Sequence, residues 1–126
     1  MPSHLHMIVR SHDKPLEDIV RDMKGHNSSQ LKKLIKEHPQ ESRREWIVWI
    51  CERAGKNNSN NIDWQFWQQH NQPIEILNDK MFAEIVFYIH QSPVVSGFVY
   101  EAEQWVYSSA KDYAKNNGII KLAEFY

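Results

Sequence analysis

Two histidines one residue apart, His4 and His6, lead into the apolar run Met7-Ile8-Val9, with Leu5 between them. If this run is a β-strand, alternate side chains share a face and the two imidazoles stand side by side. Imidazoles so placed can hold one divalent ion, with Mg, Mn or Zn favoured according to the group that supplies the third ligand. The same spacing describes two half-buried histidines at a strand start, so it leaves metal binding and packing both open. The second group that could do chemistry is Tyr88-Ile89-His90-Gln91-Ser92-Pro93-Val94. On a helix, positions four apart share a face, which directs Tyr88 and Ser92 toward one site. A phenol of pKa about 10 is a weak nucleophile at neutral pH and needs a polarised target. A tyrosine at the edge of an apolar stripe, its hydroxyl in water, shows the same periodicity.

The bulk composition bounds what can surround these groups. The chain has 126 residues, 41% hydrophobic and 25% charged, which fits one globular domain over 1–126 and argues against general disorder. Fifteen basic and sixteen acidic residues give a net charge of -1, so no molecule-wide field attracts nucleic acid and any such binding must use local patches. Cys51 is the only cysteine, which excludes an intramolecular disulfide and a cysteine-based zinc site and reads as a buried thiol. No stretch approaches the roughly 20 apolar residues of a membrane span, and the short apolar run after the histidines ends at Arg10, unlike a signal peptide. A cytoplasmic location without membrane association is expected, as monomer or homodimer.

The elements that must position the two groups follow from periodicity. Leu5 to Val9 reads as the first strand. Pro15, Leu16, Ile19, Val20 and Met23 predict a short helix stopped by Gly25. Asn27-Ser28-Ser29 offers caps for a second helix with Leu31, Leu34 and Ile35 on one face, ended by Pro39. A third is expected from about Glu41 to Ala54, with Trp46, Ile47 and Ile50 inside and Gly55 as its C-cap. The tract Lys56-Asn57-Asn58-Ser59-Asn60-Asn61 predicts a mobile loop. Ile62 to Gln68 with Pro73 to Ile76 suggests a short hairpin or two extended segments. Asn78 or Asp79 caps a helix packing Phe82, Ile85, Val86 and Ile89 inward, limited by Pro93, and a final segment covers about Ile119 to Phe125.

Lys32, Lys33, Lys36, Arg43 and Arg44 concentrate positive charge in the second and third of these helices, and could follow a nucleic-acid backbone or simply be solvated helix faces. Trp64, Phe66 and Trp67 could stack on unpaired bases, worth about 1–3 kcal/mol per base, or belong to a core.

Four ordered segments resemble the REP-associated tyrosine transposases, a branch of the HUH single-strand DNA endonucleases. The first, Met1-Pro2-Ser3-His4-Leu5-His6-Met7-Ile8-Val9, is similar to that family's Met-Pro-Asn-His-hydrophobic-His motif. Tyr88 to Val94 with Gly97-Phe98-Val99 is similar to its Tyr-Ile-His-x-Asn-Pro-Val segment and the glycine that follows. Trp105-Val106-Tyr107-Ser108-Ser109-Ala110-Lys111-Asp112-Tyr113 and the tryptophan-rich stretch Gln65 to Glu75 complete the likeness, which covers essentially the whole chain.

The resemblance implies an α+β fold, an antiparallel ferredoxin-like (RRM-like) sheet with helices on one face. It also implies an N-terminally incomplete domain, because the family's His-x-His strand is preceded by a strand, a helix and another strand. By the same resemblance His4 and His6 are ligands of one Mg or Mn ion, Ser92 occupies the third-ligand position, and Tyr88 is the nucleophile. The tyrosine would attack a phosphate of single-stranded or hairpin DNA, leaving a 3′-hydroxyl and a 5′-phosphotyrosine bond. Two departures stand out, Ser92 and Ser3, each where the family has asparagine. A serine hydroxyl is a shorter and weaker neutral ligand than an amide oxygen. Gln91 and His90 cannot replace it, since they turn about 100° and 200° away on a helix. The alternative is therefore a truncated remnant that binds single-stranded or hairpin DNA without cleaving it. A third reading is a small α+β interaction protein whose histidines are structural.

Overall fold

The computed structural model describes residues 3–115, 117–119 and 122–123. Their contacts form two compact units, Ile8–Pro73 and Met1–Met7 with Ile74–Tyr126.

In the unit Ile8–Pro73, α1 spans Leu16–Glu37 and α2 spans Arg44–Lys56. Helix α1 starts at Pro15, whose fixed φ suits a helix entry, and Glu17 and Asp18 complement the positive end of its dipole. It does not break at Gly25. Gly25, Asn27, Ser28 and Ser29 all lie within one helix, so the two helices expected here are one. A single glycine costs about 1 kcal/mol relative to alanine but does not remove a backbone hydrogen bond, and the turns on either side carry the helix through. The helix ends where expected, ahead of Pro39, with the His38 N–H bonded to Leu34 O at 2.9 Å.

Helix α2 begins later and ends later than its periodicity suggested. Gly55 lies inside it, and Asn57 is the cap. The reason is close packing: a Cβ at Gly55 would collide with the backbone of Asp63 and Trp64, and the Gln65 N–H reaches Cys51 O at 2.9 Å. The buried positions are Cys51 and Gly55, whereas Trp46, expected inside, is 60% exposed. The asparagine tract is tied down rather than unstructured. Asn61 N–H bonds Asn58 O, Asn60 N–H bonds Asn58 Oδ1, and the Asn58 and Asn61 amides both donate to Gln65 Oε1.

In the second unit, α3 spans Asp79–Val95, followed by a single 3₁₀ turn, Ala102–Gln104, and the short α4, Ala110–Lys115. Asn78 caps α3 through its side chain, which accepts from Met81 N–H at 2.9 Å, as expected from sequence. Pro93 does not limit the helix but lies inside it, buried. The end comes at Gly97, φ 75°, where Phe98 N–H bonds Pro93 O and Gly97 N–H bonds Val94 O. That is a Schellman closure, and a residue with a side chain would be strained at the left-handed position. The last expected segment, Ile119 to Phe125, lies largely outside the described residues.

The main correction concerns the sheet. No β-strand occurs among the described residues, so the ferredoxin-like α+β architecture implied by the resemblance, complete or incomplete, is replaced by a helical one. Leu5 to Val9 and the segments 62–68 and 73–76 are neither helix nor strand. Alternation records which side chains could share a face, but a strand exists only when another pairs with its backbone.

Candidate functional site

Within the second unit, α3 presents Tyr88 and the segment before Ile8 presents the histidines. The His4 and His6 ring centroids are 5.0 Å apart with planes at 87°. The side-by-side arrangement expected of a strand is therefore present without the strand. His6 also meets Tyr88 edge-on, centroids 5.6 Å apart, so residues far apart in sequence form one cluster. Ser3 Oγ lies 3.0 Å from His4 Nδ1, a partner of the kind that fixes which ring nitrogen stays available. His6 Nε2 is buried, with no hydrogen-bond partner among the described residues. Burial, then the neighbouring His4 charge and the N-terminal charge, holds the His6 pKa below its ordinary value, which favours the neutral, lone-pair-bearing ring.

Tyr88 is 61% exposed and open to a large substrate. Ser92 follows one turn later on α3 and is half-buried. His4 bonds to Ser3 rather than to Ser92. Among the described residues no group of three or more His, Cys, Asp and Glu side chains is poised for a metal ion. The donors present are thus two imidazoles, one with an orphaned buried nitrogen. Among the described residues no hydrogen bond joins Ser92 to either imidazole, so a divalent ion held here would need its remaining ligands from water.

The unit Ile8–Pro73 holds the basic and aromatic candidates. Lys32 Nζ lies 5.4 Å and Lys36 Nζ 5.9 Å from the Trp64 ring centroid, and Lys36 also pairs with Glu52 at 3.1 Å. Lys24 stands 5.9 Å over Trp67 and donates to Gln68 O at 3.0 Å. Periodicity missed Lys24 because a helix stopped at Gly25 separates it from Lys32 and Lys36, whereas one continuous α1 carries all three. Phe66 packs edge-on to Trp67. The lysines approach the ring faces that a base would need, and the buried indole nitrogens of Trp64 and Trp67 have no hydrogen-bond partner among the described residues. Lys33 is exposed. Arg43 is engaged by Glu41, whose carboxylate is held below its usual pKa chiefly by the Arg43 backbone N–H. Arg44 opens α2 on a half-buried position.

A further pair in the second unit escaped sequence reading. His90 Nε2 lies 2.9 Å from Ser109 Oγ, and the His90 ring meets Tyr113 edge-on at 5.1 Å. His90 lines a cavity of about 310 Å³ with Phe87, Glu103, Ala110 and Tyr113. No periodicity links residues on two different elements, so only the fold reveals the pair. No family model, curated protein or solved structure matches this chain. The chemistry of these clusters therefore rests on their own residues.

Proposed function

We propose that the chain is a metal-dependent, tyrosine-based endonuclease and strand transferase acting on single-stranded or hairpin DNA, of the kind seen in REP-associated tyrosine transposases. The observation that carries this reading is the His4–His6–Tyr88 ring cluster. Nothing in helix periodicity requires a tyrosine of α3 to meet a His-x-His pair. His4 and His6, with Ser92 or water, would hold Mg or Mn, which when bound supplies positive charge at the scissile phosphate. Tyr88 Oη forms the new bond to phosphorus, the P–O3′ bond breaks, and the phenolic proton is balanced by protonation of the 3′-oxygen. The product is a 5′-phosphotyrosine, whose retained bond energy allows strands to be rejoined without an external energy source. The edge contact of His6 orients the Tyr88 ring, and exposure leaves the hydroxyl open to a polymeric substrate. The lone buried Cys51 suits a reducing compartment, the cytoplasm.

The test is a covalent adduct between the protein and a hairpin oligonucleotide labelled downstream of the cleavage point, in Mg or Mn. The wild type should give a denaturant-resistant adduct that Tyr88→Phe abolishes and that His4→Ala or His6→Ala reduces by at least about 100-fold, as expected when electrostatic stabilisation of the transition state is lost. An adduct that survives Tyr88→Phe refutes the assignment.

A second reading, DNA binding without cleavage, is favoured by Ser92 and by the two-histidine donor set. It anticipates strongly salt-dependent oligonucleotide binding with no adduct in either metal.

A further inference from the structure

Helix α2 has two faces of different character. One, carrying Ile47, Cys51, Ala54 and Gly55, is half-buried to buried and receives the loop through Trp64 and Gln65. Its packing needs are met there. The opposite stripe, at helical spacing, carries Trp46, Trp49, Ile50 and Arg53. Trp46 is 60% and Trp49 55% exposed, and the Arg53 guanidinium lies 5.1 Å over the Trp49 ring. Lys56 edges the same stripe one turn on, and Arg43 begins it, paired with Glu41. The acidic residues of the helix, Glu45 and Glu52, fall on its flank, and Glu52 is engaged by Lys36.

We infer that the Trp46–Trp49–Arg53 stripe of α2 is a stacking platform for single-stranded DNA. This deepens the proposed function and rests on its reading of the substrate. Here two exposed indoles offer flat π faces to unpaired bases, and the Arg53 guanidinium, lying over the Trp49 ring, supplies the positive charge that phosphates need. Trp46 and Trp49 are about 4.5 Å apart along the helix axis, a spacing that neighbouring bases of a flexible strand can meet. Paired bases hide their faces, so duplex DNA gains nothing from the indoles. Trp64 and Trp67 are poorer platforms, because both are half-buried with their indole nitrogens inside.

The test is fluorescence polarisation of a labelled oligothymidylate with the full chain, compared for wild type, Trp46→Leu/Trp49→Leu and Arg53→Gln. Removing both indoles should weaken binding at least about tenfold, given the usual contribution of base stacking. Arg53→Gln should weaken it and flatten its salt dependence by about one counterion, if the arginine also meets phosphate. The matching duplex should be bound more weakly and be indifferent to the tryptophans. Far-UV circular dichroism should be unchanged in all variants, since both indoles are exposed; should the double variant lose helix, Arg53→Gln and its salt slope decide. Affinity within about twofold of wild type in both variants overturns the inference, as does equal dependence of duplex binding on the tryptophans. A wild-type dimer that the double variant abolishes, with DNA affinity unchanged, would overturn it in favour of an interface between copies. The two proposals fail separately: a wild type that binds oligothymidylate through the two tryptophans but forms no covalent adduct overturns the proposed function alone, and a wild type that forms the adduct with tryptophan-independent affinity overturns this inference alone.

Discussion

His90 shows how a single side chain reports its surroundings. Its ring contacts Tyr113, its Nε2 meets Ser109 Oγ, and burial holds its pKa below 6.5 despite the opposing attraction of Glu103. A histidine whose folded pKa is lowered binds fewer protons than the unfolded chain between the two values. Its contribution to stability is therefore intact above 6.5 and is lost as pH falls toward the folded pKa. Proton NMR should show the His90 ring titrating below the midpoint it has in urea, about 6.5. Coincident midpoints would mean that the Ser109 contact and the cavity wall do not persist in solution. His4 and His6 make a different prediction. Two neighbouring imidazoles with an orphaned nitrogen should bind Mn, so their ring resonances should broaden selectively at substoichiometric Mn in wild type and no longer do so in His6→Ala. Broadening spread evenly over all seven histidines would indicate no site.

At the scale of elements, Gly25 separates what was legible in the sequence from what was not. It lies in the middle of α1, and nothing would lie within 4 Å of an added Cβ. Gly25→Ala should stabilise the helix by about 0.5–1 kcal/mol, seen as increased helicity at 222 nm and slower amide exchange across Asp22 to Ser28. A loss of helix would show that the glycine has a role its open surroundings do not suggest. Periodicity predicts a stop at Gly25, yet glycine is only a weak breaker. Signals that act through a local hydrogen bond or a fixed φ were legible: Asn78 as a cap, Pro39 as a stop. Those that depend on a partner were not. The alternation of Leu5 to Val9 needs a neighbouring strand to become one, and Gly55 continues a helix because the Trp64 backbone presses against it. The site was legible in part for the same reason. His-x-His spacing places two rings together whether or not the backbone is in a sheet, but the contact of His6 with Tyr88 is tertiary, and periodicity alone could not find it.

Across the whole molecule, the quantity that decides stability is how little large apolar surface is hidden. Among the described residues the buried hydrophobic side chains are Cys51, Ala102 and Ala110, and no large side chain is fully buried. Leu77, Phe87 and Val95 are 74%, 66% and 84% exposed. Full burial of one large apolar side chain contributes about 1.5–3 kcal/mol, whereas ordering each residue's backbone costs about 1–2 kcal/mol. Small buried residues cannot supply the difference, so the isolated chain should retain helical far-UV dichroism while binding a hydrophobic dye and melting without a sharp heat-absorption peak. A ligand that binds only the folded chain changes this by mass action. On the proposed function, single-stranded DNA at about 100 times its dissociation constant would add roughly 2.7 kcal/mol. Calorimetry with and without an oligothymidylate should therefore show a peak that appears or sharpens only with DNA, together with loss of dye binding. A sharp transition in the free chain would show that its exposed apolar surface costs less than this balance requires. A transition that DNA leaves unmoved would instead place its binding, if any, on a surface whose folding is not limiting.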